Sequence, residues 1–96
     1  MKDKLFFKLS QIIKKRKRDL PKDSYVAKLF RKGKVKIANK LGEEAIETIT
    51  AYLYEGKEEL LEESADLMFH LLVLLEDSDL TIEEVEKTLL KRMKND

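Results

Sequence analysis

Glu44 and Glu47 stand three residues apart with Glu43 beside them, and Glu63 and Asp66 repeat that spacing further along the chain. Residues three apart on a helix share one face, so each pair offers two carboxylates to one neighbourhood. Either pair alone reads as an ordinary solvated helix face. Two pairs on successive helices, each beside apolar residues, argue for a site. Carboxylates gathered in one place repel unless a cation lies between them, and the run Glu58, Glu59, Glu62, Glu63, Asp66 contains no lysine or arginine. A hard divalent ion suits such an oxygen donor set, Mg²⁺ first and Mn²⁺ as its nearest substitute. Glu44, Glu47, Glu63 and Asp66 are therefore the candidate metal ligands. Zinc is disfavoured, because cysteine is absent and His70 is the only histidine. His70 follows Asp66 by four residues and is expected to support the ligands through a hydrogen bond to a carboxylate, with Glu43 in a similar supporting place.

A cationic set precedes the acids directly: Lys28, Arg31, Lys32, Lys36 and Lys40. Lys36, Lys40, Glu44 and Glu47 follow one another at four, four and three residues, so positive and negative groups share one helical stripe. Lys40 and Glu44 alone could be an exposed pair worth a few tenths of a kcal/mol. A phosphate chain, held by lysines on one side and by a metal on the other, would use both halves of the stripe. Ser24 and Tyr25 stand just ahead of the lysines as further candidates for substrate contact.

These pairs can meet only if the chain folds as a helical hairpin. Leu5, Phe6, Leu9, Ile12 and Ile13 recur at helical spacing behind Asp3, a candidate N-cap, and predict a first helix to about Arg18. Asp19 to Asp23 hold the only proline, Pro21, and read as a connection. Ser24 suits the N-cap of a short helix that pauses near Gly33. From Lys34 the stripe Val35, Ala38, Leu41, Ala45, Ile49 and Tyr52 predicts one long helix to Glu55, with Gly42 in its interior suggesting a close backbone approach. Lys57 to Asp77 predict the next helix, with Leu61, Ala65, Met68, Leu72 and Leu75 on one stripe. Its second half is so apolar that a partner subunit is expected to cover it. Thr81 and Glu84 form a capping-box pair ahead of Ile82, Val85, Leu89 and Met93 in a last helix. The reading is an all-α single domain over residues 1–96, a helical hairpin with flanking helices, of the intertwined dimeric four-helix-bundle type.

Bulk composition agrees. A chain of 96 residues with 43% hydrophobic and 41% charged residues is core or charge with little between, as helical bundles are. So small a domain gains from oligomerisation. Met1 to Lys40 hold 15 of the 20 lysines and arginines but three acids, whereas Leu41 to Asp96 hold 5 basic and 16 acidic residues. The halves can neutralise each other or serve phosphate and metal separately. The longest apolar run, Leu71 to Leu75, is too short to cross a bilayer, and the charged N-terminus is unlike a signal peptide, so a cytoplasmic protein without membrane association is expected. The basic run Lys14 to Arg18 lacks interleaved aromatics and reads as a solvated helix end, not a nucleic-acid surface.

The stretch Ser24-Tyr25-Val26-Ala27-Lys28-Leu29, followed by Lys32-Gly33, Lys36-Ile37, Lys40 and Gly42-Glu43-Glu44-Ala45-Ile46-Glu47, resembles the phosphoribosyl-ATP pyrophosphohydrolase family of histidine biosynthesis. Glu63-Ser64-Ala65-Asp66-Leu67-Met68-Phe69-His70-Leu71-Leu72 resembles its second motif. The Glu-x-x-Glu and Glu-x-x-Asp pairs alone mark the wider MazG-like group of all-α nucleotide pyrophosphohydrolases, and the Ser-Tyr segment and spaced lysines narrow the likeness. Val26, Asn39 and Phe69 stand where that family often has threonine, lysine and tyrosine. The resemblance implies Mg²⁺-dependent hydrolysis of phosphoribosyl-ATP to phosphoribosyl-AMP and pyrophosphate, with Mg²⁺ on Glu44, Glu47, Glu63 and Asp66, and for that reaction Glu44 or Glu47 is the candidate catalytic base that takes the proton of the attacking water. It also implies an intertwined homodimer and a functional association with a separate cyclohydrolase, whose zinc ligands this chain lacks. The competing readings are a MazG-like house-cleaning pyrophosphatase of nucleoside triphosphates and a non-catalytic dimeric helical interaction module.

Overall fold

The computed structural model describes residues 4–95 and consists of five helices, α1 (Lys4–Asp19), α2 (Tyr25–Lys32), α3 (Lys34–Tyr54), α4 (Lys57–Asp77) and α5 (Ile82–Asn95). No strand occurs among the described residues. The all-α expectation is met. The expected cap at Asp3 lies outside the described residues.

Local chemistry sets the helix ends. The Ser24 hydroxyl accepts the Ala27 N–H at 3.1 Å and caps α2. Gly33 then ends α2 and starts α3 with no linker. Its φ of 96° and ψ of −176° belong to a region that only glycine enters cheaply, and its N–H still reaches the Leu29 carbonyl at 3.0 Å. At α5 the Thr81 N–H donates to Glu84 Oε1 at 2.8 Å and the Glu84 N–H donates to Thr81 Oγ1 at 3.2 Å, the reciprocal box its spacing predicts. Lys17, within the basic run, donates from Nζ to the Glu76 carbonyl at 3.2 Å, in the last turn of α4 where a helix favours positive charge.

α3 and α4 pack along their lengths as a hairpin about Glu55 and Gly56; α1 packs on α4, α2 on α1 and α3, and α5 on α1. The core draws on all five helices through Ile13, Val26, Leu29, Ile37, Leu72, Val73, Leu75 and Ile82. Burying each such side chain contributes roughly 1.5–3 kcal/mol before the entropy of ordering is set against it.

Three expectations are corrected. The second half of α4 is covered largely by this chain itself, Leu67 to Leu75 being all buried or half-buried. On α3 the expected stripe is not the buried one, since Val35, Ile49 and Tyr52 are exposed while Ile37, Glu44 and Ala51 are buried. Periodicity failed there because α3 is apolar on two faces, and one chain covers only one. Gly42 faces open space, with nothing within 4 Å of where a Cβ would stand, so no close backbone approach explains it.

Candidate active site

Glu44 faces inward from the middle of α3, and Glu63 and Asp66 face it from the first half of α4. One carboxylate oxygen from each lies within 4.8 Å of the other two. Glu44 is 7% exposed. Both Glu44 Oε1 and Glu63 Oε1 are buried without a hydrogen-bond partner. Buried polar atoms are nearly always paired, and unpaired carboxylate oxygens on two neighbouring side chains are costly unless something positive joins them. Burial, followed by the neighbouring carboxylates of Glu47 and Glu44, pushes the Glu63 carboxyl up to about 7 from its ordinary 4.5. Hard oxygen donors, convergence and missing partners all fit a divalent cation of the Mg²⁺ class. Glu47 is exposed and outside the three-oxygen group, although it is the first charged neighbour acting on Glu63.

Lys40 is the nearest cation. Its Nζ lies 3.3 Å from Glu43 Oε1 and 4.0 Å from Glu44 Oε2, and the bond to Glu43 holds the Lys40 ammonium above its ordinary value. Glu43 thus anchors the lysine beside the acids.

Lys28 and Lys32 on α2 and Lys36 and Lys40 on α3 line one depression of about 150 Å³ together with Tyr25 and Leu29. The helical break at Gly33 brings the two short lysine rows side by side. Arg31 is not part of this lining. One residue before Lys32 and so turned about 100° from it, Arg31 donates to the Leu20 and Lys22 carbonyls at 3.2 and 3.4 Å and ties down the connection after α1. The Ser24 hydroxyl oxygen serves as the α2 cap, accepting the Ala27 N–H.

His70 is 5% exposed, and its partners are not the expected carboxylate. Its Nδ1 lies 2.7 Å from the Asp66 backbone carbonyl and its Nε2 lies 2.8 Å from the Tyr25 hydroxyl. The correction follows from helix geometry: a side chain leans back over the preceding turn, where the carbonyl four residues earlier waits. Thr48 is a residue that sequence reasoning missed. Its hydroxyl lies 2.7 Å from the Glu44 carbonyl and 3.2 Å from the Glu63 carbonyl, joining α3 to α4 at the level of the acids. Its place one turn after Glu44 on the same face was the available signal.

The profile of a family described as phosphoribosyl-ATP pyrophosphohydrolase matches residues 6–93. The histidine biosynthesis bifunctional protein HisIE of Thermotoga maritima is 47% identical over 89 residues, 93% of this chain and 45% of that protein. The phosphoribosyl-ATP pyrophosphatase of Metallosphaera sedula is 49% identical over 86 residues, 90% of this chain and 92% of that one. The phosphoribosyl-ATP pyrophosphatase of Pyrobaculum aerophilum is 45% identical over 94 residues, 98% of this chain and 100% of that one. The chain spans less than half the length of the bifunctional relatives it matches and nearly all of these two pyrophosphatases.

Proposed function

The chain belongs to the phosphoribosyl-ATP pyrophosphohydrolase family, and from that premise we propose that it hydrolyses phosphoribosyl-ATP to phosphoribosyl-AMP and pyrophosphate in histidine biosynthesis. The supporting observation is the pair of buried, unpartnered oxygens on Glu44 and Glu63 beside Asp66. Glu44, Glu63 and Asp66 would hold Mg²⁺, which when bound neutralises phosphate charge and favours ionisation of a water. Glu47, exposed next to them, would accept the proton of the attacking water. Lys28, Lys32, Lys36 and Lys40 bind the polyphosphate and stabilise the charge that grows on the leaving pyrophosphate as the α–β anhydride bond breaks. The direct test is pyrophosphate release from phosphoribosyl-ATP, with and without Mg²⁺, beside ATP and dUTP. Mg²⁺-dependent release favouring phosphoribosyl-ATP is expected. Preference for ATP or dUTP would favour a house-cleaning enzyme, and no release from any substrate would favour a non-catalytic module.

The partner reading rests on the outer face of α3. Ile46, Ile49, Tyr52 and Leu53, with Leu61 of α4, are each more than half exposed. That apolar surface suits a second copy of this chain. Ile49→Glu should turn a dimer into a folded monomer in sedimentation, and an unchanged mass would remove this face from the interface. The bifunctional relatives suggest that a separate cyclohydrolase consumes the product. No helix among the described residues is long and apolar enough to cross a membrane. From the biosynthetic family we propose the cytoplasm as its compartment.

A further inference from the structure

α2 carries Lys28 and Lys32, α4 carries Glu63 and Asp66, and α3 carries members of both sets. The two halves of the site therefore depend on how α2 is held relative to α4, yet α2 packs mainly on α1 and α3. One hydrogen bond joins α2 directly to α4 among the described residues, from Tyr25 to His70 at 2.8 Å.

The hydrogen positions follow from what each partner can do. The Asp66 carbonyl only accepts, so His70 Nδ1, 2.7 Å away, carries the hydrogen. In the neutral ring Nε2 is then the acceptor, and the Tyr25 hydroxyl donates to it. Phe69 stands edge-on to the imidazole, ring centroids 5.2 Å apart at 88°, and Tyr25 does the same at 5.8 Å and 81°. With the ring buried and both nitrogens engaged, the imidazole has one orientation. Its ends are a residue lining the lysine depression and the backbone of a clustered acid.

We propose that His70 is a positioning residue: its imidazole holds Tyr25, and with it the lysine-bearing helix α2, in register with the Asp66 turn of α4, so that the phosphate-binding and cation-binding groups face one another. This rests on the reading above, in which lysines take phosphate and carboxylates take the ion. The imidazole contacts neither. Its loss should weaken phosphate binding while leaving the ion's ligands assembled by α3, α4 and Thr48.

Amide replacements separate the two ring nitrogens. His70→Asn keeps a donor near the Asp66 carbonyl and loses the acceptor for Tyr25. His70→Gln places an oxygen near the position of Nε2. Tyr25→Phe removes the hydroxyl with little change of shape. The measurements are Mn²⁺ affinity of the full chain by electron paramagnetic resonance, pyrophosphate affinity with saturating Mn²⁺, and KM and kcat for phosphoribosyl-ATP, with helical circular dichroism as the check on folding. Tyr25→Phe and His70→Asn should weaken pyrophosphate by roughly fivefold to tenfold, the worth of one hydrogen bond, and raise KM more than they lower kcat. The double variant should be no worse than either single one. His70→Gln should recover most of the loss, and Mn²⁺ affinity should stay within about twofold throughout, as it would for a change that spares the ligands.

The proposal is overturned if Tyr25→Phe binds pyrophosphate as tightly as the unaltered chain, if His70→Asn matches His70→Gln, or if Mn²⁺ affinity falls in step with pyrophosphate. Should the histidine variants fail to fold, Tyr25→Phe decides alone. An unaltered chain that binds neither Mn²⁺ nor pyrophosphate would instead sink the functional reading on which the proposal stands.

Discussion

Lys36 and Glu44 lie about two turns apart on α3, but their surroundings impose opposite conditions. Glu44 is nearly buried, faces Glu63 and Asp66, and leaves an oxygen without a partner. Lys28 and Lys32, across the depression from Lys36, stand in solvent, where an ammonium is fully hydrated. The acidic end is destabilised by its own unpartnered charge, whereas the basic end is at ease in solvent. A charge removed from the first should therefore stabilise the metal-free fold and destroy function. A charge removed from the second should leave stability alone and cost only affinity.

Glu44→Gln should have the largest effect. Turnover should fall by at least about a hundredfold, and the metal-free protein should melt a few degrees higher, since one repelling charge is gone. Glu47→Gln should lose turnover to a comparable degree yet keep its response to added Mg²⁺, because Glu47 lies outside the three-oxygen group. If Glu44→Gln melts lower than the unaltered chain, the contrast between the two ends is wrong.

The pH dependence of the metal-free protein comes next in size. The Glu63 carboxyl sits at about 7 in the fold against an ordinary 4.5, so between those values the folded state binds the extra proton. That stabilisation is fully present below the lower value and is lost as pH rises through the upper one. With chelator present, the melting temperature should fall as pH rises across this window, and Mg²⁺ should restore it on the alkaline side. Glu63→Gln should flatten the profile. A chelated protein that grows more stable across the window would break the account of the acidic end.

Single lysine replacements should be the mildest. Lys28→Ala or Lys36→Ala should shift stability by no more than about 0.5 kcal/mol and raise KM several-fold, more at low salt than at high, since solvated charges are screened. A salt-independent KM would indicate that these lysines do not meet phosphate.

Much of this contrast was legible in the residues. Ser24, Gly33 and the Thr81–Glu84 box each end or start a helix by chemistry confined to a few neighbours, so their spacing was enough. The acidic pairs and the spaced lysines announced themselves for the same reason, as repeats along single helices. What could not be read depended on which way a helix is rolled against its neighbours. α3 has apolar residues around most of its girth, and only packing reveals that Ile37, Glu44 and Ala51 turn inward while Ile49 and Tyr52 turn out. Arg31 looked like one more cation in a basic row until its roll committed it to the Leu20 and Lys22 carbonyls. His70 and Thr48 were obscure because their partners are backbone carbonyls, which every residue has and no sequence pattern marks.

The proposed hydrolysis requires a divalent ion held between Glu44, Glu63 and Asp66. Crystals soaked in Mn²⁺ and measured at the manganese absorption edge test this without any assay of activity. An anomalous peak within bonding distance of oxygens from all three residues is the predicted result. A strong peak elsewhere with those oxygens bare, or no peak at saturating Mn²⁺, would contradict it.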